Sequence, residues 1–227
     1  MYELMLDTAN LDELRAGLTA WPIVGVTSNP SILKKEGNID LYARLAEIKA
    51  LCGDGKSLHV QVVSNTTEDI IKEALCILDR LGRDIYIKIP VSAAGLPAIK
   101  QLAADGVLIT ATAIYSTFQG MLATLAGAKY LAPYYNRMQN NCTDPRTVIR
   151  ELRDFIDGAD SDTKILAASF KNVAQVTDAF AAGAHSATVS TDIIKSALGM
   201  ASIDAAVEAF AKDFYAIHGE GQTMMTI

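Results

Sequence analysis

Lys88 sits inside DIYIKIP, Asp84 to Pro90, a run otherwise dominated by strand-forming residues that avoid water. A lysine enclosed by apolar walls loses the hydration of its charged form. Its pKa falls, and the neutral amine becomes available as a nucleophile. Such an amine attacks a ketone to give a carbinolamine and then an imine, whose protonated nitrogen stabilises a carbanion-like enamine on the adjacent carbon. This is aldol chemistry, and it also needs a group that moves protons and donors for the substrate hydroxyls. The ends of the other apolar runs supply both. Asp7 ends the first run, Thr27 and Asn29 follow the second, and Gln61 lies within the third. Thr112 ends the fifth, Tyr134 the sixth and Ser169 the seventh. Asp7 opposes burial in its effect on the lysine, because a nearby carboxylate favours the ammonium.

Each residue also has a plainer account. A lysine at a strand end is often a solvated or snorkelling charge. Asp7 could cap the helix starting near Asn10, Thr27 and Asn29 could form a turn before Pro30, and Gln61 could satisfy a neighbouring group. Tyr134 and Tyr135 could both be packing. Taken together, those accounts leave a polar cluster without a purpose.

What must position these residues is an alternation of short apolar runs with longer helical patterns. The strand-like runs are YELMLD, IVGVT, LHVQVV, IYIKIP, VLITATA, YLAPYY, KILAAS and SATVS, eight in all. Between them lie segments such as TTEDIIKEALCILDRLG, with apolar residues at helical spacing, an acidic first turn and a stop at Gly82. Connections of that length hold crossover helices, so the strands are expected to be parallel. Eight βα units in 227 residues fit a small α/β fold, a single closed (β/α)8 barrel, near the lower size limit of about 200 residues. An open doubly wound sheet is the competing topology, and its G-x-G-x-x-G signature is absent after the first strand. Alternation along IYIKI then turns Ile85, Ile87 and Ile89 to the helices and Tyr86 and Lys88 to the lumen. Lys88 falls at the C-terminal end of its strand, where barrel enzymes assemble their chemistry. Residues 202–218 read as an additional C-terminal helix and 219–227 as a tail, with no linker marking a second domain in 1–227.

Half of the residues are apolar, so the chain can bury a large core. A formal net charge of −6 argues against a nucleic-acid or anionic-membrane binder, which needs a basic face. No apolar run approaches the roughly 18 residues of a membrane span, and the N-terminus has an acid where a signal peptide carries positive charge. A cytoplasmic location and a small-molecule partner are the expectation. Cys52, Cys76 and Cys142 are widely separated, lack C-x-x-C spacing and read as reduced thiols. The three histidines are equally scattered, and no metal site is expected.

The blocks LDTAN, GVTSNPSIL, IYIKIPVSAAGL, GVLITATAIYSTFQGMLATLAGAKYLAPYYNRM and KILAASFKN resemble the motifs of the transaldolase family, in particular its small subfamily. The likeness runs from the first strand to the last helix. It implies a (β/α)8 barrel in which Lys88 forms a Schiff base with a ketose, without metal or organic cofactor. By the same likeness Asp7 binds a substrate hydroxyl and assists proton transfer, and Thr27 and Asn29 line the donor pocket. Arg137, in YYNRM, and Ser169 with Lys171, in ASFK, are implied to hold the phosphate of the acceptor aldehyde. Guanidinium and hydroxyl donors suit phosphate oxygens, and the ammonium adds charge.

Two positions bear on the reaction. Transaldolases of the family typically carry Glu on the third strand and Phe on the sixth, whereas its aldolases carry Gln and Tyr; here the residues are Gln61 and Tyr134. The resemblance therefore points to a class I aldolase that cleaves and forms fructose 6-phosphate, from dihydroxyacetone and glyceraldehyde 3-phosphate. Tyr134 is expected to act through a water held by Gln61 and Thr112. Two other readings stay open: a transaldolase moving a dihydroxyacetone unit between sugar phosphates, and a barrel that only binds a sugar phosphate. The small subfamily forms rings of five that stack into decamers, so the resemblance also implies a homo-oligomer.

Overall fold

The computed structural model describes residues 2–227. Its eight strands are β1 (Glu3–Asp7), β2 (Ile23–Thr27), β3 (Ser57–Gln61), β4 (Tyr86–Pro90), β5 (Ile109–Ile114), β6 (Tyr130–Pro133), β7 (Lys164–Ala167) and β8 (Ser186–Val189). They pair in parallel, each with its neighbour in sequence, and β1 closes on β8. The closed barrel expected from the eight apolar runs is the one observed, and the open sheet is excluded.

Helices fill every crossover: α1 (Leu11–Ala20), α2 (Pro30–Lys35), α3 (Leu41–Cys52), α4 (Thr67–Leu81), α5 (Gly95–Ala104), α6 (Thr117–Leu125), α7 (Tyr135–Asn140), α8 (Pro145–Gly158) and α9 (Val173–Ala181). Local chemistry starts most of them. Asn10, Asn29, Asp40, Thr66, Ser116, Asp144 and Asn172 each accept a backbone N–H from the first turn that follows, at about 1 kcal/mol per cap. In α4 the buried residues Ile70, Ala74, Ile77, Leu78 and Leu81 recur at helical spacing and form the face that packs inward. Gly95 opens α5 where a Cβ would stand 1.9 Å from the Pro90 carbonyl oxygen, so only glycine lets this helix close on the end of β4.

Alternation sorts the strand residues as the sequence predicts. Leu6, Val26, Ile87, Ile89, Ile109, Leu131, Ile165 and Ala187 are buried between sheet and helices. The inward set plugs the lower lumen: Met5, Tyr130 and Leu166 form one cluster with Tyr86 packed on it. Tyr130 donates to Glu3 Oε2 at 2.9 Å, and Lys164 pairs with the other oxygen of the same carboxylate. His59 is fully buried above this plug and lies flat on the Tyr86 ring, centroids 4.5 Å apart. Its Nδ1 shares a hydrogen with Thr110 Oγ1 at 2.7 Å and its Nε2 with Ser57 Oγ at 2.9 Å.

The chain divides into two compact units, Met1–Thr191 and Asp192–Ile227. The first holds the barrel. The second holds nearly all of α10 (Thr191–Leu198), then α11 (Ala201–His218), which ends at Gly219 in a left-handed conformation with φ +98°. Val207, Phe210 and Ile217 of α11 are exposed. Among the described residues no helix is long and apolar enough to cross a membrane, no group of three or more metal-ligating side chains occurs, and all three cysteines are free.

Candidate active site

The C-terminal ends of the strands bring the polar residues to one mouth. Lys88, on β4, is 4% exposed, and its Nζ donates to the Ser28 carbonyl oxygen at 2.9 Å. Ser28 is fixed in turn, because both its N–H (3.0 Å) and its hydroxyl (3.2 Å) donate to the His59 carbonyl. Burial lowers the Lys88 pKa from its ordinary value, and the charge of Asp7 partly offsets the fall.

Asp7 does not cap α1; Asn10 does that, accepting from Asp12 N and Glu13 N. Instead Asp7 Oδ1 accepts the Thr27 hydroxyl at 2.6 Å. Thr27 Oγ1 also lies 2.7 Å from Thr188 Oγ1, and its single hydrogen is committed to Asp7, so Thr188 is the donor in that second contact. A relay of two hydroxyls from β8 and β2 thus ends on the carboxylate. Burial raises the Asp7 carboxyl above its usual value, while Lys88, the Thr27 hydrogen bond and Lys35 pull it down.

Gln61 is the register partner of Lys88 across β3 and β4. Its Oε1 is buried and accepts from no protein donor, so it does not serve to satisfy a neighbour. A buried acceptor of this kind invites a water or a substrate hydroxyl. On the far side of Lys88, Thr112 donates to the Tyr134 hydroxyl oxygen at 3.1 Å. β5 makes this possible by breaking register after Ala111, with Ala113 at φ +56°, before Ile114 rejoins the ladder. Tyr134 itself follows β6, bridges to Ala168 and precedes α7. Burial raises its phenol above the ordinary value; the Thr112 hydrogen bond and Arg137 oppose the rise, and Tyr115 and Asp7 add to it.

Arg137 lies outside the lumen, on α7. Its guanidinium carbon stands 4.8 Å from the centre of the Tyr134 ring, and its Nη1 donates to the Tyr115 hydroxyl at 3.3 Å. Tyr115, Arg137, Asn140 and Asn141 line an open cleft of about 370 Å³. Ser169 is half-buried, with its carbonyl accepting Asn136 N at 3.0 Å and a left-handed φ of +65° that costs a non-glycine residue energy. Lys171, two residues on, is exposed, and its N–H donates to Gln175 Oε1 at 2.7 Å.

Of the sequence-predicted residues, Asp7, Thr27, Gln61, Lys88, Thr112 and Tyr134 converge at the mouth. Asn29 Oδ1 accepts Ile32 N, capping α2, and its amide hydrogens remain for a ligand. Arg137 is tied to the mouth through the Tyr134 ring, and Ser169 through the backbone beside Arg137. Sequence reasoning missed Ser28, whose contribution is a carbonyl and so carries no side-chain signal. It also missed Thr188, although the alternation in SATVS puts Ser186 and Thr188 on the lumen face. Tyr115 and the Thr110–His59 pair were likewise unforeseen.

The family model described as Transaldolase/Fructose-6-phosphate aldolase matches residues 4–225. A protein of Streptococcus pneumoniae (strain ATCC 700669 / Spain 23F-1) named "Probable fructose-6-phosphate aldolase" is 53% identical over 215 residues, covering 95% of this chain and 97% of that protein. A closed eight-stranded barrel with a buried strand-end lysine, matched by this family along nearly its whole length, belongs to the transaldolase/fructose-6-phosphate aldolase family.

Proposed function

We propose that the protein is a class I aldolase that splits fructose 6-phosphate into dihydroxyacetone and glyceraldehyde 3-phosphate and catalyses the reverse addition. The observation that carries this reading is the Lys88 amine, buried at the end of β4, its charge disfavoured by burial and partly restored by Asp7. The name of the Streptococcus pneumoniae relative supports the choice of substrate.

In this mechanism the neutral amine attacks the ketose C2, and loss of water gives an iminium. The C3–C4 bond breaks, its electrons flow toward the iminium nitrogen, and the 4-hydroxyl gives up its proton as glyceraldehyde 3-phosphate forms. The remaining enamine takes a proton at C3. Water then adds at C2, releasing dihydroxyacetone and restoring the amine. Asp7, positioned by Thr27, binds a substrate hydroxyl and assists proton transfer, while Thr27 and the Asn29 amide line the donor pocket. Tyr134 moves protons through a water held with Gln61 and Thr112. Arg137, Ser169 and Lys171 hold the phosphate.

The phenol at position 134 favours an aldolase over a transaldolase, because it can protonate the enamine without waiting for an acceptor aldehyde. Borohydride added with dihydroxyacetone is expected to trap a covalent adduct on Lys88, located by mass spectrometry, and fructose 6-phosphate is expected to be cleaved with no acceptor present. Turnover only with an acceptor would identify a transaldolase. Binding without any adduct would leave a sugar-phosphate-binding barrel. We further infer a homo-oligomer, pentameric or decameric, assembled in the cytoplasm; the exposed Val207, Phe210 and Ile217 of α11 support the assembly.

A further inference from the structure

Arg137 is exposed on α7, and a free arginine there would sample many rotamers at a cost of about 2 kcal/mol to immobilise. Here two aromatic residues hold it. One face of the guanidinium lies over the Tyr134 ring at 4.8 Å, and Nη1 donates to the Tyr115 hydroxyl at 3.3 Å. The two rings also meet edge to face, with centroids 5.7 Å apart and planes at 72°. Tyr115 is itself anchored, because its N–H donates to Gln119 Oε1 at 3.0 Å, and Gln119 Nε2 donates across to the Val91 carbonyl at 3.2 Å. The backbone of Tyr115, just after β5, is therefore tied through Gln119 to Val91, just after β4.

A guanidinium carries five N–H donors, and the Tyr115 contact uses one. Arg137 and Tyr115 line the cleft of about 370 Å³ together with Asn140 and Asn141. That cleft offers a fixed cation and neutral hydrogen-bonding groups, with no carboxylate among its lining residues. Its chemistry suits a phosphate ester more than a neutral polyol, since charge-assisted donors favour an anion.

We propose that Tyr115 is a positioning residue for substrate phosphate, acting through Arg137, and that it sets the preference of the site for phosphorylated over neutral three-carbon ligands. This deepens the aldolase reading and rests on it. The hydroxyl fixes the guanidinium before the ligand arrives, so less freedom is lost on binding.

Tyr115→Phe removes one hydroxyl and keeps the ring edge on Tyr134. Calorimetry with glycerol 3-phosphate, an unreactive probe, is expected to give a dissociation constant raised about three- to tenfold, the scale of one ordinary hydrogen bond. In the reaction, KM for glyceraldehyde 3-phosphate is expected to rise by more than kcat falls. In an Arg137→Gln background, Tyr115→Phe is expected to produce no further loss. A dissociation constant equal to the wild type, or losses that simply multiply in the double variant, would overturn the proposal. Because glycerol 3-phosphate cannot form a Schiff base, this comparison stands apart from borohydride trapping: an untrapped Lys88 sinks the aldolase reading, while the binding ratio still decides the role of Tyr115.

Discussion

Lys88 Nζ donates to the carbonyl oxygen of Ser28 at 2.9 Å and forms no ion pair with Asp7, although the two share the barrel mouth. The amine is thus held by a neutral acceptor while the carboxylate acts on it through space. A carbonyl accepts from an ammonium or from an amine, so it orients the nitrogen without locking its proton in place.

The pH dependence of adduct formation follows from the two opposed influences. Burial lowers the Lys88 pKa, so the neutral amine appears as pH rises through a value below the 10.5 of a free lysine. The rate of borohydride trapping is expected to climb with pH and level off below that value. Asp7 raises the lysine pKa, so Asp7→Asn is expected to move the rising limb to lower pH. Turnover by Asp7→Asn is expected to fall by about 10²–10⁴-fold, as for loss of a group that moves protons. Trapping that shows the same pH profile in both proteins would remove Asp7 from the electrostatics of the lysine.

Asp7 also bears on stability. Its carboxyl is raised above 3.8 in the fold, so the folded state binds the proton more tightly than the unfolded chain does. Its contribution to stability therefore diminishes as pH climbs from the unfolded value through the folded one, leaving a buried carboxylate above it. Asp7→Asn keeps an acceptor for Thr27 and removes that charge. Thermal melting above the folded value is expected to show a more stable variant, with the difference shrinking as pH falls through that value and vanishing below 3.8.

Tyr134→Phe separates the two reactions of the family. It is expected to slow fructose 6-phosphate cleavage by about 10²-fold, the lower end for an acid–base group, while raising transfer of dihydroxyacetone to an added aldehyde. The enamine then persists until an acceptor captures it. Unchanged rates for both reactions would exclude Tyr134 from proton transfer.

His59 supplies a prediction about the barrel interior. Its ring is fully buried, paired with Thr110 and Ser57, and flat on Tyr86. His59→Ala leaves a cavity and the buried Thr110 hydroxyl without its partner, a loss of about 3 kcal/mol in chemical denaturation. Burial and Lys88 hold the ring pKa well below 6.5, so protons favour the unfolded chain as pH falls under that value. The wild type is expected to lose stability over that range more steeply than His59→Phe.

The sequence alone determined the eight strands, their parallel order and the inward direction of Lys88. The alternating apolar pattern and the crossover lengths constrain these locally, because side chains change face with every residue of a strand. The same logic brought Asp7, Gln61, Thr112 and Tyr134 to one end of the barrel. Only the tertiary structure decided what each does there. Asp7 and Asn29 both stand at strand ends before a helix, yet Asn29 caps its helix while Asp7 leaves that task to Asn10 and turns to Thr27. The difference depends on Thr27 and Thr188, one of them 161 positions from the other, meeting across the closure of the barrel. The Ser28 carbonyl that holds the amine is a backbone group present in every residue, so no pattern of side chains could single it out. Tyr115, in the loop after β5, meets Arg137 on α7, a proximity that the order of residues along the chain leaves open.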